Sequence, residues 1–564
     1  MKTYIIKFGI LGILMGALIS CSDDYLDRQP LNNPSDGTFL STQTEVEMAL
    51  TGCYTGLWTN YEGMPFQLSF DMVTDIGYER NGSGMQAVGR SDHDASTNYI
   101  NQIWTDMYAA ISKCNYLLTN MDRAADVMEA SDMENIRAEA RFLRALYYHY
   151  LVFLYGDVPL VTTPIGLSET NVPRTPKEEV VDFILDELEQ SVPYLSQTNA
   201  PLSGRATKGA AWALISRVAL YTERWEQSIN AAESAMALEG SQFIIDPNYM
   251  DLFQYAGEGS LEIMFSVQYL QGANVHPMYR LFGSRNGNAH TNKKPAYQLS
   301  DVWECTDGLQ IDESPLFDPQ NPYANRDPRL GHTLAVSGST FLGFQYETHG
   351  DSISCWNYNE NPPKRVPNLE ATHAYATFTG VGWRKYADVL DRTQIDNSEL
   401  NTIIFRYAEV LLNYAEAKIE AGQIDNTVLE AINKIRQRPS VNMPPITTMD
   451  PNELRAAVRR ERKYEFAGEG LRLFDIRRWQ MAEEVMTLPV LGRMKKSYPT
   501  KAPRVDQWGT VYYEDIPVAA PGEPSDFQMR MVENRSFDPA RDYLWPIPFL
   551  ELQTNEAMDQ NPGY

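Results

Sequence analysis

The residues Arg141-Phe142-Leu143-Arg144-Ala145-Leu146-Tyr147-Tyr148 lie in a stretch, 133–155, that is apolar on nearly every side of a helical wheel. Such a helix has no face to give to water, so it belongs in the middle of a helical body. Its arginines 141 and 144 are three apart, and each buried guanidinium then needs carboxylate or carbonyl partners, which makes them structural rather than ligand-binding groups. Pro159 closes the stretch. Around it, residues 44–58 repeat Val46, Met48, Leu50, Tyr54 and Leu57 at helical intervals, and 100–118 carry Ile103, Trp104, Met107, Tyr108, Ile111 and Leu118 on one stripe. A further amphipathic helix, 178–192, is entered through Pro176. Residues 207–222 and 225–238 predict two helices joined by a very short turn and rich in Ala at their contact. Residues 403–421 and 427–436 predict a second such pair, broken at Gly422. Helix pairs of this length are the unit of tetratricopeptide-like stacking.

Between about 244 and 401 the texture changes to Gly, Pro, Asn and Asp with short apolar runs such as 261–267, and the stretch holding Pro499, Pro503, Pro517, Pro521 and Pro524 is similarly irregular. Loops this extensive inside a compact protein are functional or unusually well packed. No low-complexity linker separates the two textures, so they interleave in one body. With 564 residues, 43% hydrophobic and 22% charged, the chain is an ordinary globular protein. Its formal charge of -26 disfavours nucleic acid and any basic membrane-binding surface. Tyr outnumbers Phe, 32 to 21, which suits half-wet surfaces where a ring buries its body and exposes its hydroxyl.

Lys2 and Lys7 precede an apolar run, 8–19, with no acidic residue before Asp23. That is the form of a bacterial export signal, and it falls short of the roughly 20 apolar residues that span a bilayer. It ends Leu18-Ile19-Ser20-Cys21, which resembles a lipobox, so Cys21 is expected to be acylated and to become the first residue of the mature chain. So acidic a chain is not held on an anionic membrane by charge, and several acyl chains together would hold it firmly. Ser22-Asp23-Asp24 resembles the short acidic signal for the outer face of the outer membrane. Cys53, Cys114, Cys305 and Cys355 contain no CxxC spacing and permit three disulfide connectivities that the sequence does not rank. Cys53 and Cys114 look like small buried helix positions, which makes core thiols the default.

Several segments together resemble the SusD/RagB family of surface nutrient-binding lipoproteins. They are the 141–148 run leading to Leu154-Tyr155-Gly156-Asp157-Val158-Pro159; Asp307-Gly308 and Arg326-Asp327-Pro328-Arg329-Leu330; Arg406-Tyr407-Ala408-Glu409-Val410-Leu411-Leu412-Asn413-Tyr414-Ala415-Glu416-Ala417; Glu461-Arg462-Lys463-Tyr464-Glu465-Phe466-Ala467 with Gly470-Leu471-Arg472-Leu473-Phe474-Asp475-Ile476-Arg477-Arg478-Trp479; and Trp545-Pro546-Ile547-Pro548 ending in Gln560-Asn561-Pro562-Gly563-Tyr564. The resemblance implies a mostly α fold: tetratricopeptide-like helix pairs forming a scaffold with an interleaved loop-rich lobe. On that reading residues 1–20 are a lipoprotein signal peptide, 21–240 an N-terminal helical region, and 241–564 a C-terminal region with the lobe and further scaffold helices. It also implies a SusC-like, TonB-dependent barrel as partner, with the lipoprotein as a lid over it. None of these motifs needs to be a ligand site. The basic-looking run 455–478 is interleaved with Glu461, Glu465, Glu469 and Asp475, which points to intramolecular pairing rather than a nucleic-acid patch.

The chemistry of an enzyme is missing. Seven histidines never fall three or four apart, so no HExxH-type metal site is present, and there is no Gly-x-Ser-x-Gly elbow, Walker loop or GxGxxG. No catalytic residue, metal or cofactor is expected. A glycan-binding protein needs instead Trp or Tyr faces and side chains that hydrogen-bond hydroxyls in plane. The family's ligand residues lie on variable loops, so candidates come from texture. Residues 78–99 offer Tyr78, Arg80, Asn81, Arg90, His93 and Asp94; residues 276–292 offer Tyr279, Arg285 and Asn288; residues 341–358 offer Phe344, Tyr346, Trp356 and Tyr358. Trp303, just before Asp307-Gly308, is expected to pack. The function expected is surface glycan binding for a SusC/SusD-type uptake system, with peptide uptake by the same kind of machine and a surface hydrolase as alternatives.

Overall fold

The computed structural model describes residues 39–80, 82–166, 169–197 and 204–564. The signal segment, Cys21, Ser22-Asp23-Asp24 and Asn81 lie outside the described residues. The body is mostly α. Helix α1 (Gln43–Tyr54) starts at Thr42, whose hydroxyl accepts from the Glu45 N–H while the Glu45 carboxylate takes the Thr42 N–H, so two otherwise orphaned donors are satisfied. Helices α2 (Asn98–Asn120) and α3 (Ala130–Tyr155) follow, then α4 (Lys177–Ser191), α5 (Lys208–Tyr221) and α6 (Trp225–Met236). Pro176 is the cap that precedes α4 rather than its first-turn residue. The expected all-round burial of α3 is observed, with every residue from Phe142 to Val152 buried and Arg141, just before them, half-buried. Gly156, at φ +78, ends this helix three residues before the proline expected to do so.

α5 and α6 form the expected pair. The turn between them runs through Glu223 at φ +59, and Ser228 Oγ donates to the Ser216 carbonyl at 2.9 Å, an approach that only small residues permit. The second pair is α7 (Tyr407–Glu420) and α8 (Asn426–Arg436). Here the expectation of one helix over 403–421 is corrected. Thr402–Arg406 is a strand, paired antiparallel with Ile263–Val267, and the helix begins only at Tyr407. The β-branched run Thr402-Ile403-Ile404 favours extended backbone, and all five strand residues are buried, so the alternation that marks a half-exposed strand is absent. The lobe between is built of short 3₁₀ turns, two-stranded ladders and one four-stranded antiparallel sheet formed by Thr340–Phe341, Phe344–Gln345, Ser354–Asn357 and Lys364–Pro367. The main apolar core draws on residues from Leu40 to Ile547, so lobe and scaffold share one interior, with two small satellite clusters beside it. Trp303 is fully buried in it. Cys53, Cys114, Cys305 and Cys355 are buried free thiols, as the default reading has it.

The charged motifs are internal. Arg144 donates to Glu187 at 2.8 Å and to Asn115 Oδ1 at 2.7 Å, and Arg141 reaches the same Glu187. Helix α9 (Pro451–Phe466), capped by Asp450, carries Glu465, fully buried among three guanidinium groups: Arg406 at 2.7 Å, Arg438 at 2.8 Å and Arg329 at 3.0 Å. Burial alone would raise the Glu465 pKa, but Arg438, Arg406 and Arg329 together hold it well below the usual carboxylate range. Glu461 bridges Arg329 and Arg436, and Arg478 makes a bidentate pair with Glu416. Asp71 fastens the two ends of the fold by accepting the backbone N–H groups of Gly468, Gly470 and Arg472. At Gly470, φ +82, a Cβ would sit 1.7 Å from the Gln67 carbonyl oxygen, so glycine is required there.

Candidate functional site

The site begins from a two-residue alternation. Strand Gly77–Glu79 pairs antiparallel with Lys293–Pro295, setting Tyr78 opposite Lys294. Neighbouring lysines on a strand point to opposite faces. Lys293 meets two carboxylates, Glu79 and, at 2.7 Å, Glu62. Among the described residues Lys294 meets none within salt-bridge distance: its amino group is fully buried, without a hydrogen-bond partner there, 5.4 Å from the centre of the Phe378 ring. Burial pushes its pKa well below the usual value; Glu370 opposes that shift, while Arg80, Arg285 and Arg530 add to it.

Three guanidinium groups and two rings lie above. Arg80 Nη1 donates to the Tyr375 carbonyl at 2.9 Å, and Arg285 Nε donates to the same oxygen at 3.1 Å. Both face the Tyr375 ring, at 5.2 and 5.9 Å from its centre. Arg530 lies 4.1 Å from the centre of the Phe378 ring. Tyr375 is 59% exposed, an aromatic face held out to solvent by arginines that fix its backbone. Position comes from the short helix Leu369–Thr372, capped by Asn368, whose Glu370 accepts the Arg285 N–H at 2.5 Å. The loop that carries Arg285 is tied down by Asn286, which donates to the Pro367 carbonyl at 2.7 Å and accepts from the Leu369 N–H at 3.0 Å. Beside these groups opens a polar cavity of about 530 Å³, lined in part by Glu370, Thr377, Phe378, Arg493, Lys495 and Arg530. A second cavity, about 600 Å³, is lined by Trp104, Tyr108, Pro159, Val161, Ile165 and Leu550 together with polar side chains such as Asn101, Thr105 and Glu551.

The sequence candidates divide. Arg80 and Arg285 stand at this face. Trp356, on the four-stranded sheet, and Tyr358, in the turn after its strand, are exposed, 39% and 45%, with the Arg365 guanidinium 5.3 Å from the Trp356 ring centre. That sheet joins the Tyr375 face through strand Lys364–Pro367 and the helix that follows it. Tyr78, Tyr279 and Tyr346 lie in the core, 4%, 0% and 1% exposed, and offer no ring to a ligand arriving from solvent. The reasons are local: Tyr78 packs on Ala296 and Val490 from its strand, Tyr346 meets Phe341 edge-on, and Tyr279 folds over Gly287. Arg90 is exposed at the end of the helix Gly84–Arg90 and pairs with Asp92 at 3.0 Å. His93 is buried against the Tyr564 hydroxyl at 2.6 Å. Tyr375, Phe378, Lys294, Glu370 and Arg530 were not among the candidates. The only sequence signal for Tyr375 is an aromatic set among small residues in Ala374-Tyr375-Ala376-Thr377, which gives it neither a strand nor a helix face to bury. Among the described residues no cluster could hold a metal ion, and no helix is long and apolar enough to cross a membrane.

Comparison with known proteins adds an independent line. A model described as the SusD family matches residues 245–564, and one described as starch-binding associating with outer membrane matches 24–220. SusD-like protein P2 of Formosa agariphila is 24% identical, covering 100% of both chains. A SusD-like protein of Bacteroides ovatus is 24% identical over 91% of this chain and 89% of its own. The crystal structure of a SusD-like carbohydrate binding protein from Bacteroides fragilis superposes with a TM-score of 0.78 at 28% identity, covering 93% of this chain and all of that one.

Proposed function

Because this chain belongs to the SusD family, we propose that it is a cell-surface glycan-binding lipoprotein that delivers its ligand to a SusC-like, TonB-dependent outer-membrane transporter. Cys21 is the lipid attachment point, residues 21–240 form an N-terminal helical region that contributes Arg80 to the binding face, and residues 241–564 carry the loop-rich lobe and further scaffold helices. The observation that carries the reading is the Tyr375 platform, an aromatic ring held out to solvent by Arg80 and Arg285, whose chain neighbours Ala374 and Ala376 line a polar cavity. A sugar ring stacks its C–H face on such a ring while guanidinium and hydroxyl groups bond its edge. Trp356 and Tyr358 extend the surface for a polymer longer than one site. The description of the second matching family, starch-binding associating with outer membrane, and the carbohydrate-binding relative of Bacteroides fragilis support the same reading.

The test is a glycan array followed by calorimetry on Tyr375→Ala and Tyr78→Ala. We expect Tyr375→Ala to weaken binding about tenfold with an unchanged melting temperature, and Tyr78→Ala to lower the melting temperature. Binding of peptides and of no glycan would replace the reading with a peptide-uptake one.

A further inference from the structure

Resting on that reading, we infer that the glycan is acidic, and that its carboxylate or sulfate groups enter the cavity bounded by Arg530, Arg493 and Lys495. The argument starts from charge. The chain carries 48 basic against 74 acidic residues, so an unpaired cation is the exception, and most buried arginines have carboxylate partners, as Arg406, Arg438 and Arg462 do. At this face the rule fails. Among the described residues, Arg80, Arg285 and Lys294 make no ion pair with a carboxylate, and neither do Arg493, Lys495 and Arg530. The six are neighbours. Arg530 sits opposite Gly492 on the paired strands Val490–Gly492 and Arg530–Glu533, which sets it beside Arg493, and both line the cavity with Lys495.

Arg493 is 6% exposed, and its Nη2 has no hydrogen-bond partner, although its other nitrogens reach the Met494 carbonyl and Thr348 Oγ1. Lys294, behind Phe378, adds a second buried basic side chain with no hydrogen-bond partner among the described residues. A buried guanidinium without a counter-charge is costly, and an oxyanion arriving in the cavity would relieve it. The acidic groups nearby are engaged elsewhere or stand off: Glu370 is buried and accepts the Arg285 backbone N–H at 2.5 Å, Glu347 accepts the His349 N–H at 2.8 Å, Asp526 is taken by Lys496 at 3.1 Å, and Glu523 is exposed at the rim. Arginine forks match the planar oxygens of carboxylate and sulfate, and a cleft lined by one sign of charge raises the local concentration of a polyanion even on an acidic protein. Tyr375 then holds a sugar ring while its acidic substituent reaches past Phe378.

The experiment uses the full chain in detergent on an array of neutral, uronic-acid and sulfated polysaccharides, with calorimetry on the polymers retained, at low and high salt. We expect acidic polymers to be retained, affinity to fall with salt, and Arg530→Gln or Lys495→Gln to cut it at least fivefold without a change in melting temperature. Arg504→Gln, an exposed arginine paired with Glu514, is the control and leaves affinity unchanged. The polymer class retained separates carboxylate from sulfate. Retention of neutral glycans alone, or wild-type affinity in Arg530→Gln, overturns this inference and leaves the proposed function standing. Retention of no glycan overturns both.

Discussion

Glu465→Gln is the most informative single change in the scaffold. The substitution keeps the volume of the side chain while removing the charge that Arg329, Arg406 and Arg438 share, and it can turn an amide donor toward guanidinium donors. All four groups are buried, so water does not replace what is lost. Removing one partner of a buried pair costs about 3 to 5 kcal/mol. Unfolding entropy of about 2.1 cal/mol/K per residue makes the melting entropy of a chain this long on the order of 1 kcal/mol/K, so the expected drop in melting temperature is about 4 °C. Differential scanning calorimetry reads this directly, with Glu453→Gln, an exposed residue of the same helix, as the control. A melting temperature for Glu465→Gln equal to that of the control would refute the view that the family motifs are held together by this network.

Three more outcomes are expected. Burial works against the Glu416 carboxylate, but Arg478 and Arg462 prevail and bring its pKa down to about 2 from 4.5, so its stabilisation, about 3 kcal/mol, is full above pH 4.5 and fades as pH falls toward 2; thermal melts across that window should steepen in the wild type and flatten in Glu416→Gln. Gly470→Ala should cost more than about 2 kcal/mol, because a Cβ meets the Gln67 carbonyl and the backbone is left-handed there, and urea unfolding will read it. Cys21→Ala should yield a folded chain that takes up no labelled fatty acid and is lost from the outer-membrane fraction; labelling that persists would remove the anchor from Cys21.

The scaffold was legible because the helix pairs carry their periodicity in apolar and small residues, as in 207–222 and 225–238. Legibility failed where burial was complete on both faces. Residues 402–406 look like the first turn of the helix they precede, since a strand with no exposed side has no alternation to read. Helix α9 was read only as a charged run, because Glu461, Arg462 and Glu465 are buried by virtue of partners far away in sequence. The binding face had the same difficulty. Arg80, Arg285 and Trp356 stood out by residue type, but Tyr375, Lys294 and Arg530 meet only through strand pairings and loop ties between segments more than a hundred residues apart in places. Tyr78 misled for the converse reason: a polar-looking glycine-rich loop begins at a strand that buries its ring.

The clasp between Asp71 and the 468–472 turn has a kinetic side. Its partners are about 400 residues apart, and Asn561 likewise donates to the Tyr155 carbonyl at the end of α3. Contacts of such sequence separation must pay loop-closure entropy before they contribute, so they form late and slow the search. A chain emerging from its amino-terminal end therefore holds α3, the longest helix of the scaffold, with the Tyr155 ring not yet covered by Trp545 and its carbonyl without the Asn561 donor until those residues arrive. In that interval it is a client for chaperones, and a truncation that removes Trp545 to Asn561 would leave it one permanently.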